Sequence, residues 1–212
     1  MKTLIAIPCM DSVYTEFLRA LMGLEISGEV QYTFAQSSLI YDARNQLAGV
    51  AIAGGFDRVL WIDSDMLLPP DLFRRLSEHL DQGREFVTGL YFTRKPPIRP
   101  VIYKDLLLQQ DDPRWPTPVA VAYEDYPRDS LFRAKACGFG AVMTSTDLLK
   151  RLVDAYGTPF SPIGGWGEDL SFCIRAEAAG AELWCDSSIK LGHIGLTVFN
   201  EELYETVSNL NS

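Results

Sequence analysis

The sequence predicts an α/β fold: a mostly parallel central sheet with helices on both faces and a Rossmann-like N-terminal half. Three observations carry this expectation. Between Thr3 and Phe92, short apolar runs suited to strands alternate with stretches of helical spacing, in the order β-α-β-α-β-α-β. That order implies right-handed crossovers within one sheet. The run Val59-Leu60-Trp61-Ile62 is apolar at every position, as in a strand buried on both faces. It then ends in Asp63-Ser64-Asp65, which puts two carboxylates at the carboxyl edge of the sheet, where open α/β sheets bind their ligands.

The chain's 212 residues suit one domain with a full core, and 47% hydrophobic against 22% charged residues is ordinary for a globular protein. Acidic residues outnumber basic ones, 28 to 19, for a formal net charge of -9. That balance disfavours a general nucleic-acid or anionic-membrane binder, which needs a basic face, and leaves open a local basic pocket for one nucleotide. No apolar run reaches the roughly 18 residues of a spanning helix, and Pro8 ends the first apolar run too early for a signal peptide. Cys9, Cys137, Cys173 and Cys185 form no Cys-x-x-Cys pair. Free core thiols in a reducing cytoplasm are the expectation, rather than disulfides or a zinc site.

In order along the chain, Thr3–Ile7 reads as the first strand, stopped by Pro8. Val13, Phe17, Leu18, Leu21, Met22 and Leu24 recur at helical spacing, with Asp11 or Ser12 as N-cap. Val30–Ala35 alternates as a second strand. A helix from about Tyr41 to Ala53 is closed by Gly54-Gly55. After the third strand, Pro69-Pro70-Asp71 opens a helix ended by Gly83, and Glu85–Phe92 is the fourth strand. His79 belongs to that helix, beside Glu78 on a solvated face. From Arg94 to Arg133, seven prolines (Pro113 among them) break up short apolar pieces, predicting extra sheet edge and loops. Cys137–Met143 is a further strand, whose Gly138 and Gly140 serve either close ligand approach or packing. Helices follow at about Asp147–Tyr156 and Leu170–Ala179, then a strand at Leu183–Cys185, a strand or loop at Ile189–Gly195 and a terminal helix from Glu201.

If extended geometry continues through Asp63-Ser64-Asp65, the two carboxylates point to one side and repel, and a hard divalent cation such as Mg²⁺ or Mn²⁺ relieves that repulsion. Neither Gly-x-Gly-x-x-Gly nor Gly-Lys-Ser/Thr is present to cradle phosphates. His193, between Gly192 and Gly195, is a candidate third ligand through neutral imidazole, although a lone histidine also fits a structural role. A second acidic pair, Glu168-Asp169, opens a helix behind the hinge-like Gly164-Gly165-Trp166-Gly167. These acids suit either the helix dipole or general-base work on a hydroxyl, and Trp166 offers a face for a sugar ring. Arg44 suits a diphosphate and Asn45 a ribose or base, while a surface Arg44–Asp42 pair is the plainer alternative.

Taken together, Ile7-Pro8, Ala43-Arg44-Asn45, Trp61-Ile62-Asp63-Ser64-Asp65-Met66, Gly165-Trp166-Gly167-Glu168-Asp169 and His193 resemble, in that order, a nucleotide-sugar-dependent glycosyltransferase of the GT-A fold, closest to the family 2-like group. The resemblance spans Thr3 to His193. It implies a single GT-A domain, with 1–93 as the donor-binding half and 94–212 as the acceptor and catalytic half. It further implies Mn²⁺ or Mg²⁺ held by Asp65 and His193, with Asp63 on ribose or reaching the metal through water. Pro8, Arg44, Asn45 and Ser64 complete the donor site, and Gly165 and Trp166 face the acceptor sugar. By the same resemblance Asp169 is the base and Glu168 holds sugar hydroxyls. The implied donor is a UDP-sugar and the implied course inverting. Two positions depart from the group's pattern: Cys9-Met10-Asp11 follows Pro8, and Gln36-Ser37-Ser38 stands where an acidic residue often reads the base. The competing readings are a sugar-phosphate nucleotidyltransferase, which wants a glycine-rich basic loop after the first strand, and a non-catalytic nucleotide-sugar or carbohydrate-binding module.

Overall fold

The computed structural model describes every residue except 111–113, 115, 196, 197, 211 and 212, so Pro113 lies outside the described residues. The first half runs β1 (Lys2–Cys9), α1 (Thr15–Met22), β2 (Glu29–Gln36), α2 (Ile40–Ala53), β3 (Arg58–Ile62), β4 (Met66–Leu67), α3 (Leu72–Asp81) and β5 (Phe86–Leu90). The second runs β6 (Ile102–Gln109), β7 (Thr117–Ala122), β8 (Leu131–Arg133), β9 (Ala136–Cys137), β10 (Ala141–Ser145), α4 (Thr146–Tyr156), α5 (Glu168–Ala178), β11 (Trp184–Lys190), β12 (Gly192–Ile194), β13 (Val198–Phe199) and α6 (Glu201–Leu210).

Seven strands form the central sheet in the order β2-β1-β3-β10-β5-β11-β8. β2, β1 and β3 pair in parallel, as do β5 and β11, while β10 and β8 pair antiparallel to their neighbours. The sheet is therefore mostly parallel, as expected, but β3 and β5 are not neighbours. β10, arriving from the second half of the chain, is inserted between them. Local periodicity carries no record of such a long-range pairing.

Side chains alternate across the sheet with the period of two that strands impose. Leu4, Ala6, Val59, Trp61, Phe86 and Val142 face α2, α4 and α5, where Leu47, Leu149 and Phe172 close over them. Ile5, Ile7, Leu60, Ile62, Val87 and Met143 face α1 and α3, meeting Phe17, Leu21, Phe73 and Leu76. This is why Val59–Ile62 can be apolar throughout. At the centre Trp61 is fully buried, its indole N–H donates to Thr144 Oγ1 at 3.0 Å, and its ring meets Phe160 edge-on at 4.9 Å. The buried indole thus has the partner that a polar group away from water requires.

Several boundaries differ from the sequence expectation for identifiable reasons. Pro8 does not stop β1. The β1–β3 ladder ends at Ala6, whereas the β1–β2 ladder continues to Cys9, so Pro8 sits where one flank has no ladder to lose. Neither Asp11 nor Ser12 caps α1. Tyr14 holds the N-cap position without a side-chain bond, and Asp11 instead accepts from Gln36 Nε2 at 3.1 Å. His79 is not on a solvated face but meets Asp186 at 2.9 Å on β11. Gly138 and Gly140 serve packing: a Cβ at either position would strike the ring or hydroxyl of Tyr91. The proline-rich stretch supplies the β6–β7 hairpin and the edge strand β8. All four cysteines are free, and Cys137, Cys173 and Cys185 are buried.

Candidate functional site

The chain leaves β3 at Ile62 and turns at once. Asp63 N–H donates to Gly140 carbonyl oxygen at 3.1 Å, and Met66 N–H returns to the Asp63 carbonyl at 3.3 Å. Because the chain turns at 63–65 and does not continue as extended strand, the two carboxylates take different partners. Asp63 accepts from Arg44 Nη2 at 2.7 Å, whereas Asp65 Oδ2 takes Arg94 Nη1 and lies 3.4 Å from His193 Nε2.

A small second sheet brings His193 to Asp65. β4, directly after the turn, pairs antiparallel with β12, aligning Met66 with His193, and Ile194 N–H donates to the Asp65 carbonyl at 2.7 Å. His193 Nδ1 lies 2.8 Å from the Phe92 carbonyl oxygen. A carbonyl only accepts, so Nδ1 carries a proton there, and Nε2 is the ring atom turned to Asp65. Burial raises the Asp65 proton affinity, but His193 and Arg94 outweigh it and hold the carboxyl below its ordinary value.

Asp63 behaves oppositely. Burial raises its proton affinity, Arg44 opposes that, and Asp65 and Glu168 add to it, leaving a net rise. Arg44 is 1% exposed, and its guanidinium carbon lies 5.1 Å from the ring centroid of Phe139 and 5.8 Å from that of Phe160. Its Nε faces Glu168 at 3.5 Å. Burial works against its charge, yet Asp63, Glu168 and Asp169 more than compensate. The surface pair with Asp42 is thus ruled out. Arg44 is an internal strap joining the turn after β3 to the first turn of α5.

That first turn carries the second acidic pair. The lead-in is a pinned turn: Gly164 and Gly165 take φ of 54° and 90°, and Trp166 N–H donates to the Ile163 carbonyl at 2.8 Å. Both positions lie where an L side chain is strained, so glycine is required there. Ser171 tightens the turn by accepting from Ile163 N–H at 3.0 Å. Asp169 Oδ1 accepts from Leu170 N–H at 2.7 Å. Its carboxyl is pushed up from 3.8 to about 6, first by burial and then by Glu168, with Leu170 N–H and Arg44 pulling the other way.

A cleft of about 400 Å³ lies over this rim, lined among others by Pro8, Asp63, Ser64, Asp65, Tyr91, Arg94 and His193. Not every expected residue lines it: Arg44, Glu168 and Asp169 do not, and join the rim only through the contact of Arg44 with Asp63. Asn45 spends its amide on the loop after α4, accepting from Phe160 N–H at 3.0 Å and facing Ser161 Oγ at 3.5 Å. Trp166 is 9% exposed and packs inward instead of offering its face. Gly165 lies under the β6–β7 hairpin, where a Cβ would sit 3.1 Å from Pro118. Among the described residues no three His, Cys, Asp or Glu side chains form a cation cage. The expected trio reduces to Asp65 with His193, because Asp63 is turned to Arg44. The donor types of the pair, a carboxylate oxygen and an imidazole nitrogen 3.4 Å apart, are ones a divalent ion such as Mn²⁺ accepts. Arg94 escaped the sequence reading. Its one signal was position, a basic residue just past the carboxyl end of a parallel strand.

Among the described residues no helix is long and apolar enough to cross a membrane. No protein-family model matches the chain, and no curated protein matches it in sequence. Solved structures do resemble it. A197 from STIV shares 18% identity at a TM-score of 0.67, over 92% of this chain and 86% of that one. GalNAc-T7, solved with UDP, GalNAc and Mn²⁺, shares 11% identity at a TM-score of 0.59, over 92% of this chain but only 44% of its own length. At such identities the likeness speaks to the fold alone, a mixed α/β domain built on a mostly parallel seven-stranded sheet.

Proposed function

We propose that this protein is a metal-dependent glycosyltransferase that moves a sugar from a nucleoside-diphosphate sugar, with UDP the favoured nucleotide, to an acceptor hydroxyl with inversion. The observation that carries the reading is two unlike acidic sites linked through Asp63 and Arg44: Asp65 facing His193 Nε2 in the turn after β3, and Asp169, its proton affinity raised to about 6, in the first turn of α5. The likeness to GalNAc-T7, whose structure holds UDP and Mn²⁺, supports it.

In this reading Asp65 and His193 are the protein ligands of Mn²⁺ or Mg²⁺, which when bound would supply charge neutralisation for the departing diphosphate. Pro8 and Ser64 wall the donor cleft. Asp63, held by Arg44, faces the donor as a hydrogen-bond acceptor. Asp169 takes the proton from the acceptor hydroxyl as that oxygen attacks the anomeric carbon and the bond to the diphosphate oxygen breaks on the opposite face. A base whose pKa approaches the working pH is better matched to that transfer than an ordinary aspartate. Glu168, on the other side of Arg44, orients sugar hydroxyls. Gly165 and Trp166 act indirectly, holding the turn that presents Asp169.

The test is UDP release from UDP-sugars with Mn²⁺, using EDTA as control. Asp169→Asn should bind UDP as the parent does and lose transfer by about 10²–10⁴-fold, the range attributed to general-base catalysis. Parent-level transfer by that variant removes Asp169 as the base. Neither turnover nor metal-dependent UDP binding in the parent would leave a carbohydrate-binding module in its place.

A further inference from the structure

Among the described residues that line the cleft, Arg94 alone carries a permanent positive charge, and its side chain is exposed to solvent. Arg44 is buried and held by Asp63, whereas the Arg94 side chain is 45% exposed. Its backbone is fixed: Thr93 N–H donates to the Arg99 carbonyl at 2.9 Å, Arg99 N–H donates to Thr93 Oγ1 at 3.1 Å, and Phe92 bridges to Pro100. Its stem passes Gly195, where a Cβ would lie 3.4 Å from Arg94 Cβ. An anchored stem with a solvated guanidinium describes an arm that pivots near one place. A guanidinium only donates and is always charged, so among the acceptors in the cleft it favours anions.

In the structure that anion is Asp65, through Oδ2, the same oxygen that His193 Nε2 faces. Arg94 therefore stands where a divalent cation held by Asp65 and His193 would stand, and one carboxylate oxygen cannot serve both at full strength. Once displaced, the guanidinium remains beside the cleft and meets whatever anion enters it. A diphosphate is the anion whose paired oxygens best match the guanidinium fork.

We propose that Arg94 is an exchangeable counter-ion: it neutralises Asp65 until a divalent cation takes that carboxylate, then transfers to the diphosphate of the nucleotide donor. This rests on the glycosyltransferase reading and adds that cation and donor bind synergistically through Arg94. Removing the arm therefore acts in opposite directions on the two ligands. It frees Asp65 for the cation and strips the diphosphate of a partner.

The experiment measures Mn²⁺ affinity by electron paramagnetic resonance of free Mn²⁺, with and without UDP, in the parent, Arg94→Gln and Arg94→Lys, each first shown to melt at the parent temperature. Arg94→Gln should bind Mn²⁺ alone about 3–10-fold more tightly, as expected for releasing a partly solvated ion pair. It should bind UDP in saturating Mn²⁺ about tenfold more weakly, as for the loss of a charge-assisted contact. Arg94→Lys keeps the charge but not the fork, so its Mn²⁺ affinity should stay near the parent's and its UDP affinity should fall between the two. Unchanged or weaker Mn²⁺ binding by Arg94→Gln overturns the exchange, as does unchanged UDP binding. A parent that binds neither Mn²⁺ nor UDP overturns the glycosyltransferase reading and the exchange with it, which separates the two failures.

Discussion

At Asp169 and Arg44, burial and neighbouring charge act in opposite directions on single ionisable side chains. Asp169 is half-buried beside Glu168, so its carboxyl holds a proton up to about pH 6 in the fold but only to about its ordinary 3.8 in the unfolded chain. Between those values the folded state binds more protons, so stability falls as pH rises through that window and levels off above it. Asp169→Asn removes the penalty. It should stabilise the protein by about 1–2 kcal/mol at pH 7.5, by progressively less toward pH 4, and not at all below, when urea unfolding is followed across pH. An equal gain at pH 3.5 and 7.5 would mean that the carboxyl's charge is not the cause. Arg44 is the counterpart: a buried cation tolerated because three carboxylates surround it and two aromatic rings flank it.

Among the elements, β10 and the turn ahead of it explain most of the site's geometry. Its insertion between β3 and β5 brings the Gly140 carbonyl to the Asp63 amide, so the strand that splits the sheet also fixes the acidic turn. The approach is close enough that Gly138 and Gly140 lie directly against Tyr91, whose hydroxyl accepts from Gly140 N–H at 3.3 Å. Gly138→Ala should destabilise by about 1–3 kcal/mol, the range for overpacking a filled interior. Since the added methyl meets the Tyr91 hydroxyl first, Tyr91→Phe should recover part of that loss in the double variant, giving a non-additive cycle in chemical denaturation. Strict additivity would show that the methyl is accommodated by a backbone shift elsewhere. The β4–β12 pair performs the matching task for His193, since without that short ladder the histidine and Asp65, distant in sequence, have no reason to meet.

For the molecule as a whole, ligands that bind only the folded state should stabilise it together. At about 100 times its dissociation constant a ligand contributes about 2.7 kcal/mol. In a chain of this length that corresponds to a rise in Tm of about 5–10 °C. UDP with Mn²⁺ should produce that rise, and UDP with EDTA should produce much less. Equal shifts under both conditions would place the nucleotide away from Asp65 and His193. A net charge of -9 gives polyanions no general foothold on the surface.

What the sequence determined by itself is everything written in short range. The alternating elements up to Phe92, the two-sided apolar third strand, the acids at its end and the acidic pair opening α5 are all local patterns, and each is present in the fold. Tertiary structure alone decided which carboxylate meets which cation. Asp63 and Asp65 look equivalent in the chain, yet the turn sends one to the buried Arg44 and the other to Arg94 and His193. The same holds for His79 on Asp186 and for Asn45 on the loop at Phe160. A strand's period is set by its own backbone, whereas a side chain's partner is set by segments distant in sequence that the sheet brings together, and no local pattern encodes that distance.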